Sequence, residues 1–331
     1  MHDASGEQWR CRHPHYSVCV PGVPPASYAY LGPEGTFAEA ALRSLPAAAR
    51  AELRPQVSVV TALEAVRNGD VDGAVVPIEN SVEGAVPITL DELAQGDPLM
   101  ITREMTVFVR FALLGRPGTD LLSVRSVVTH PHAAAQCRRW VATHLPEAQV
   151  AHTSSTAHAA QLVSDPGSGY DAAISAPIAA ERYRLDALAN DIGDNPDGVT
   201  RFVLLSRPAA PPTRTGADKT SLIAYIRDDH PGALLEILDE LSIRGVNLTR
   251  IESRPTGSAL GRYCFFIDAE GHVDDPRVGE ALMGLRRTCS DVRFLGSYPR
   301  ADEQPAAERA GTSDTDFTDA IRWLRRLREG S

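Results

Sequence analysis

The sequence predicts an α/β fold in two lobes, followed by a small βαββαβ module of ferredoxin-like type. Three observations predict it. Short apolar runs alternate with helical patterns from Ser27 to Ser206, a Pro-rich stretch breaks the alternation at Arg207–Asp218, and a second alternation fills 219–299.

In the first region strands are expected at Ser27–Leu31, Gln56–Val60, Gly73–Val76, Ser126–Thr129, Gln149–His152 and Asp171–Ser175. Helices are expected at Thr36–Ser44, Ala62–Asn68, Ile88–Ala94, Ala133–Leu145, Ser155–Ser164 and Pro177–Tyr183. Met100–Leu114 reads as one long strand that carries the chain between lobes, and Thr200–Ser206 as a strand that returns it. The lobes are therefore drawn at 27–104 plus 186–206, and at 105–185. In the second region strands are expected at Thr220–Ile226, Asn247–Arg254, Arg262–Ala269 and Asp291–Tyr298, with helices at Gly232–Ser242 and Asp275–Arg287. Residues 1–26 read as a flexible extension and 300–331 as a polar tail, in which Phe317–Leu327 has the pattern of an amphipathic helix.

Composition narrows the function classes. The 331 residues are 43% hydrophobic and 23% charged, ordinary globular values. A net charge of -10 argues against nucleic-acid binding. No apolar run is long enough to span a membrane, and the N-terminus lacks a secretory-type core, so a cytoplasmic protein is expected. Five scattered cysteines suit no disulfide framework. Cys11, His13, His15 and Cys19 offer metal-ligating atoms at a spacing that fits no common zinc motif, so no metal site is assigned. Lys219 is the single lysine, which reads as compositional bias.

Five segments stand out, several of them where a strand hands over to a helix, the usual place for ligands in open α/β sheets. Leu31–Phe37 is a Gly-rich turn with Thr36 at a helix start, either an anion site or a capped turn. Val76–Gly84 carries Glu79, Asn80 and Ser81. Thr129–Gln136 carries His130 and His132, at least one of which is expected to be structural, since an extended run would point them to opposite sides. His152–Ala157 is a hydroxyl cluster, and Asp197–Phe202 sets Thr200 beside Arg201.

Leu31–Phe37, Pro77–Asn80, Thr153–Ala157 and Thr200-Arg201-Phe202, in this order and spacing, resemble the prephenate dehydratase family over Ser27–Ser206. Downstream, Asp229–Leu234 and Asn247–Pro255, with its Glu252-Ser253-Arg254-Pro255 run, resemble the ACT domain attached to those enzymes. The resemblance implies a periplasmic-binding-protein-like catalytic region followed by an ACT regulatory domain. It implies conversion of prephenate to phenylpyruvate, with loss of carbon dioxide and water, and needs no cofactor. Thr200 would then assist the departing hydroxyl, and Asn80, Thr129, Gln136 and Glu79 would complete the catalytic set. Arg201 would bind a substrate carboxylate or lock its strand, with the first preferred. Phe202, Thr36, Ser155 and Thr156 would help hold the substrate. Phenylalanine is the expected effector, held at a dimer interface by Gly232, Ala233, Leu234, Asn247, Leu248, Glu252, Ser253 and Arg254. A homodimer or homotetramer is expected, and no fused chorismate mutase. Arogenate dehydration and a non-catalytic amino-acid sensor are the alternatives. The linker at Arg207–Asp218 is expected to transmit the regulatory signal to the strand bearing Thr200.

Overall fold

The computed structural model describes residues 26–256, 263–307 and 309–330, so the Cys11–Cys19 cluster lies outside the described residues. The chain enters through β1 (Ser27–Leu31) and turns into α1 (Phe37–Arg43), capped by the Thr36 hydroxyl. β2 (Glu52–Gln56) precedes α2 (Val59–Arg67), which opens with a capping box between Ser58 and Thr61. The strand expected at Gln56–Val60 therefore ends where it was expected to begin. The apolar residues at 57–60 straddle a loop and a helix start, and Pro55 is tolerated in β2 because that strand lies at the sheet edge.

Next come β3 (Gly73–Asn80), β4 (Gly84–Ala85), α3 (Pro87–Gln95), β5 (Met100–Phe108) and β6 (Ala112–Gly115). They are followed by β7 (Ser126–Thr129), α4 (Pro131–Gln136), α5 (Arg138–His144), β8 (Gln149–His152) and α6 (Thr156–Ser164). β9 (Ala172–Ser175), α7 (Ile178–Tyr183), β10 (Asp186–Ala189) and β11 (Val199–Ser206) complete the region. The first lobe is a sheet in the order β2-β1-β3-β11-β5, with β4 paired to β3. The second is a sheet in the order β10-β6-β9-β7-β8. In each sheet the βαβ units pair in parallel, while β11 lies antiparallel to both β3 and β5.

Two boundaries differ from expectation. The strand expected over Met100–Leu114 is broken at 109–111, and that break is the outward crossing between lobes. β10 pairs antiparallel with β6, so the second lobe reaches Ala189 rather than residue 185, while β5 keeps the first lobe intact to Phe108. The two-lobed, periplasmic-binding-protein-like arrangement stands.

The third sheet is β13-β14-β12-β15, built from β12 (Asp218–Tyr225), α8 (Ala233–Ser242), β13 (Leu248–Pro255), β14 (Tyr263–Glu270), α9 (Pro276–Thr288) and β15 (Asp291–Pro299). This is the ferredoxin-like βαββαβ order. One face packs on α8 and α9 through Leu222, Ile237, Leu241, Ile267 and Leu285. The other packs on the first lobe: Ile223, Phe266, Leu295 and Tyr298 share a core with Ile101, Val203 and Leu205. Contact is so close that a Cβ on Gly296 would stand 2.3 Å from the Ile101 carbonyl oxygen, and Gly296 has φ 133°, a conformation glycine alone adopts readily. The linker at 207–218 is itself tied down. Arg207 donates to the Val66 and Val71 carbonyls, and His272 Nε2 donates to the Pro212 carbonyl at 3.0 Å. A final helix, α10 (Asp314–Glu329), follows.

Candidate active site

β11 decides the geometry. Side chains alternate across a strand, so Thr200 and Phe202 face one side and Arg201 the other. Thr200 lies opposite Asn80 in the pairing of β11 with β3, at the end of the sheet that meets the second lobe. Asn80 Nδ2 donates to Thr200 Oγ1 at 2.8 Å. The Asn80 amide oxygen in turn accepts the Val82 and Glu83 N–H groups at 2.8 and 3.0 Å, which fixes which end of the amide points at Thr200. Thr200 therefore receives one hydrogen bond and keeps its own proton free to donate.

These residues open onto a cleft of about 270 Å³ between the lobes. Leu31, Phe37, Phe111 and Phe202 form apolar walls; Phe37 and Phe111 meet edge to face with ring centroids 5.6 Å apart. Polar groups converge from both lobes: Asn80, Glu83 and Thr200 from the first, His130, His132, Gln136, Ser155 and Thr156 from the second. Ser155 caps α6 by accepting the His158 N–H, and Thr156 begins that helix. Gln136 Nε2 donates to Glu83 Oε1 at 3.0 Å, and His132 Nδ1 lies 2.8 Å from Glu83 Oε2, so Glu83 bridges the mouth of the cleft. Among the described residues, no lysine or arginine lines the cleft.

Several expected roles need correction. Arg201 does not reach the cleft. Its guanidinium is buried on the opposite face of the sheet, where it donates to Glu104 and Tyr298 at 2.8 Å and to Asp268 of the third sheet. Of its two expected uses, the geometry fits the lock. Glu79, one residue before Asn80, also faces that side and lies near Arg201 (3.8 Å) and Arg250 (3.5 Å). Thr129 is fully buried, and its hydroxyl donates to the Ile174 carbonyl at 2.7 Å. Thr36 lines the cleft, but its hydroxyl proton goes to the Leu31 carbonyl, as a capped turn requires. His130 and His132 do not point to opposite sides. Pro131 starts a helix, His130 Nδ1 caps it by accepting the His132 N–H, and the rings stand 5.0 Å apart in the cleft.

Sequence reasoning assigned no role to Glu83, although it stands in the quoted Val76–Gly84 segment. It also missed Glu39, which is fully buried and bonds Arg43 from its own helix and Arg182 from α7. With Tyr183 donating to the Glu34 carbonyl, that pair ties the lobes together behind the cleft. The signal for Glu39 was an acid beside small apolar residues on a helix, legible only once an arginine is known to face it. In the third domain, Gly232 sits in the left-handed region at the start of α8. Leu234 and Leu248 pack on the same core of this domain. Arg254 is engaged with Asp91 of α3 at 2.8 Å. A cavity of about 240 Å³ opens between the start of α8 and the end of α9, lined by Arg227, His230, Ala233 and Cys289 among others.

The model of the prephenate dehydratase family matches residues 28–210, and that of the ACT domain matches 220–287. The chain belongs to the prephenate dehydratase family. A prephenate dehydratase of Mycolicibacterium vanbaalenii is 49% identical over 324 residues, covering 94% of this chain and 99% of that one. A crystal structure of an Arthrobacter aurescens prephenate dehydratase in complex with L-Phe superposes with a TM-score of 0.87 at 53% identity, over 92% of this chain and all of that one. A structure described as GqqA, a novel type of quorum quenching acylase, has a TM-score of 0.75 at 31% identity, covering 82% of this chain and 97% of that one. Among the described residues no helix is long and apolar enough to cross a membrane.

Proposed function

We infer that the chain is a cytoplasmic prephenate dehydratase, feedback-regulated by phenylalanine and working as a homodimer or homotetramer. The observation that carries the catalytic reading is the Asn80–Thr200 pair at the head of the cleft. Prephenate loses its ring hydroxyl and ring carboxylate together as the ring becomes aromatic. The enzyme's task is to stabilise the departing oxygen while the carboxylate leaves as carbon dioxide. Thr200 donates to that oxygen; Asn80 holds the threonine oxygen so that its proton points into the cleft. A fixed donor of this kind is worth most where water is excluded, and the apolar walls supply that setting.

With no lysine or arginine among the described residues that line the cleft, the two substrate carboxylates fall to hydroxyl, amide, imidazole and backbone donors. The N-terminus of α6 with Ser155 and Thr156, together with Gln136 and His132, is the set that faces them. Glu83 now holds Gln136 and His132, so an arriving carboxylate takes the place of the Glu83 carboxylate at those donors. Phenylalanine as effector is supported by the L-Phe complex of the Arthrobacter relative and by the ACT domain match. In this chain Gly232, Ala233 and Leu234 would meet Asn247, Leu248, Glu252 and Ser253 across two protomers.

The test is formation of phenylpyruvate from prephenate, with and without phenylalanine. Thr200→Val should lower kcat by roughly 10²–10³-fold with KM little changed, the loss typical of one removed donor, and Thr200→Ser should restore most of it. Turnover of arogenate in place of prephenate would make the chain an arogenate dehydratase. Ligand binding without turnover of either would sink the enzymatic reading in favour of a sensor.

A further inference from the structure

α10 is a helix with no buried residue. It is anchored to the rest of the chain at its start, where Arg214 pairs with Asp314 at 2.8 Å and Thr312 packs against Gly245. Along it, Phe317, Ile321, Leu324 and Leu327 follow one another at helical spacing and Trp323 flanks them. Ile321, Trp323, Leu324 and Leu327 are each at least 40% exposed. An isolated helix of this length is marginal in water, and such a stripe needs a surface to cover it.

The charges say what that surface is. Asp314, Asp316 and Asp319 occupy the first half, and Arg322, Arg325, Arg326 and Arg328 the second. The end charges also suit the helix dipole, but the dipole does not account for the apolar stripe between them. Four acidic and four basic side chains balance over the helix, so it offers no net attraction to an anionic lipid surface. Laid antiparallel on a second copy of itself, each acidic half faces a basic half; laid parallel, like faces like. We propose that α10 pairs with α10 of a second copy of this chain, antiparallel, about a two-fold axis near Arg322, through Phe317, Ile321, Leu324 and Leu327. The pairing is isologous, as a two-fold demands, and sets Phe317 against Leu327 of the other copy. It is separate from the ACT contact expected to hold phenylalanine.

Single cysteines test the arrangement in the full-length protein, with Cys11 and Cys19 changed to serine. On mild oxidation Ile321→Cys should link to its own copy, because that position lies one residue from the two-fold and so meets its own copy within disulfide reach. Phe317→Cys and Leu327→Cys should each fail to link alone and should link when the two proteins are mixed. Leu324→Asp should weaken self-association by at least about tenfold in sedimentation, with catalytic turnover unchanged. Self-linking of Phe317→Cys alone means parallel pairing and overturns the proposal, as does failure of Ile321→Cys to link. Unchanged association of Leu324→Asp overturns it too, and so does co-sedimentation of the wild-type protein with phosphatidylglycerol vesicles through this helix.

Discussion

At the scale of single residues, what matters in the cleft is which hydrogen-bonding capacity is already spent. Thr36 and Thr129 have given their protons to backbone carbonyls, whereas Thr200 has not. That distinction is invisible in a sequence, where all three are threonines in matching motifs. His130 shows the same accounting. Burial lowers its pKa below the usual 6.5, the neighbouring His132 adds to the shift, and Glu83 only partly offsets it. Its Nδ1 also has to stay unprotonated to cap α4. Because the folded state takes up this proton less readily than the unfolded chain, His130 costs nothing above about pH 6.5. Stability should then fall as the pH drops from there towards the lowered folded value. Comparing thermal unfolding of the wild type with His130→Asn, which keeps a capping oxygen, should show a shallower slope below pH 6.5 in the variant. Identical slopes would place the titration elsewhere.

Among the elements, β11 does two jobs because a strand has two faces. Thr200 looks into the cleft, and Arg201 looks into a buried cluster with Glu104, Asp268, Tyr298, Ser221 and Lys219. Asp268 is held below the usual carboxylate range: burial alone would raise it, but Arg201, Arg250, Ser221 and Lys219 together outweigh that. Removing one partner from such a cluster leaves charge stranded in a low dielectric. Arg201→Met should therefore cost roughly 3–5 kcal/mol in denaturant unfolding, with KM for prephenate little altered in whatever protein remains folded. A raised KM at wild-type stability would return Arg201 to the substrate. The elements themselves were largely legible: β1, β7 and β8 follow the apolar runs residue for residue. β2 was not, because an edge strand carrying Glu52, Arg54 and Pro55 lacks the apolar signature on which strand reading depends. The break at 109–111 was hidden for the opposite reason, since Val109, Phe111 and Ala112 carry the apolar pattern through it.

For the whole molecule, the two-part plan was readable from the change in texture at the linker, but the way the parts meet was not. The contact between the third sheet and the first lobe is made by residues far apart in sequence: Ile101 against Gly296, Arg201 with Asp268, Arg254 with Asp91, and Tyr225 donating to the Ala94 carbonyl. Each looks like ordinary core or surface until the fold places it. The linker, bonded at Arg207 and Pro212, runs beside this contact, so the ACT domain meets β11 by direct sheet-to-sheet packing as well as through the linker.

Lys219 lies inside that contact, its ammonium 2.9 Å from a buried Glu104 oxygen, and it is the only lysine in the sequence. A protease that cuts solely after lysine thus has one possible target, and β12, paired with β14 on one side and β15 on the other, holds it inside the third sheet. Cleavage should be negligible in the native protein and should yield two fragments, 1–219 and 220–331, at a rate set by how often β12 leaves that sheet. The rate of that one cut, followed by mass spectrometry, reports opening of the third sheet without any label. Rapid cleavage of the fully folded protein would mean that β12 is held far more loosely than its pairing indicates.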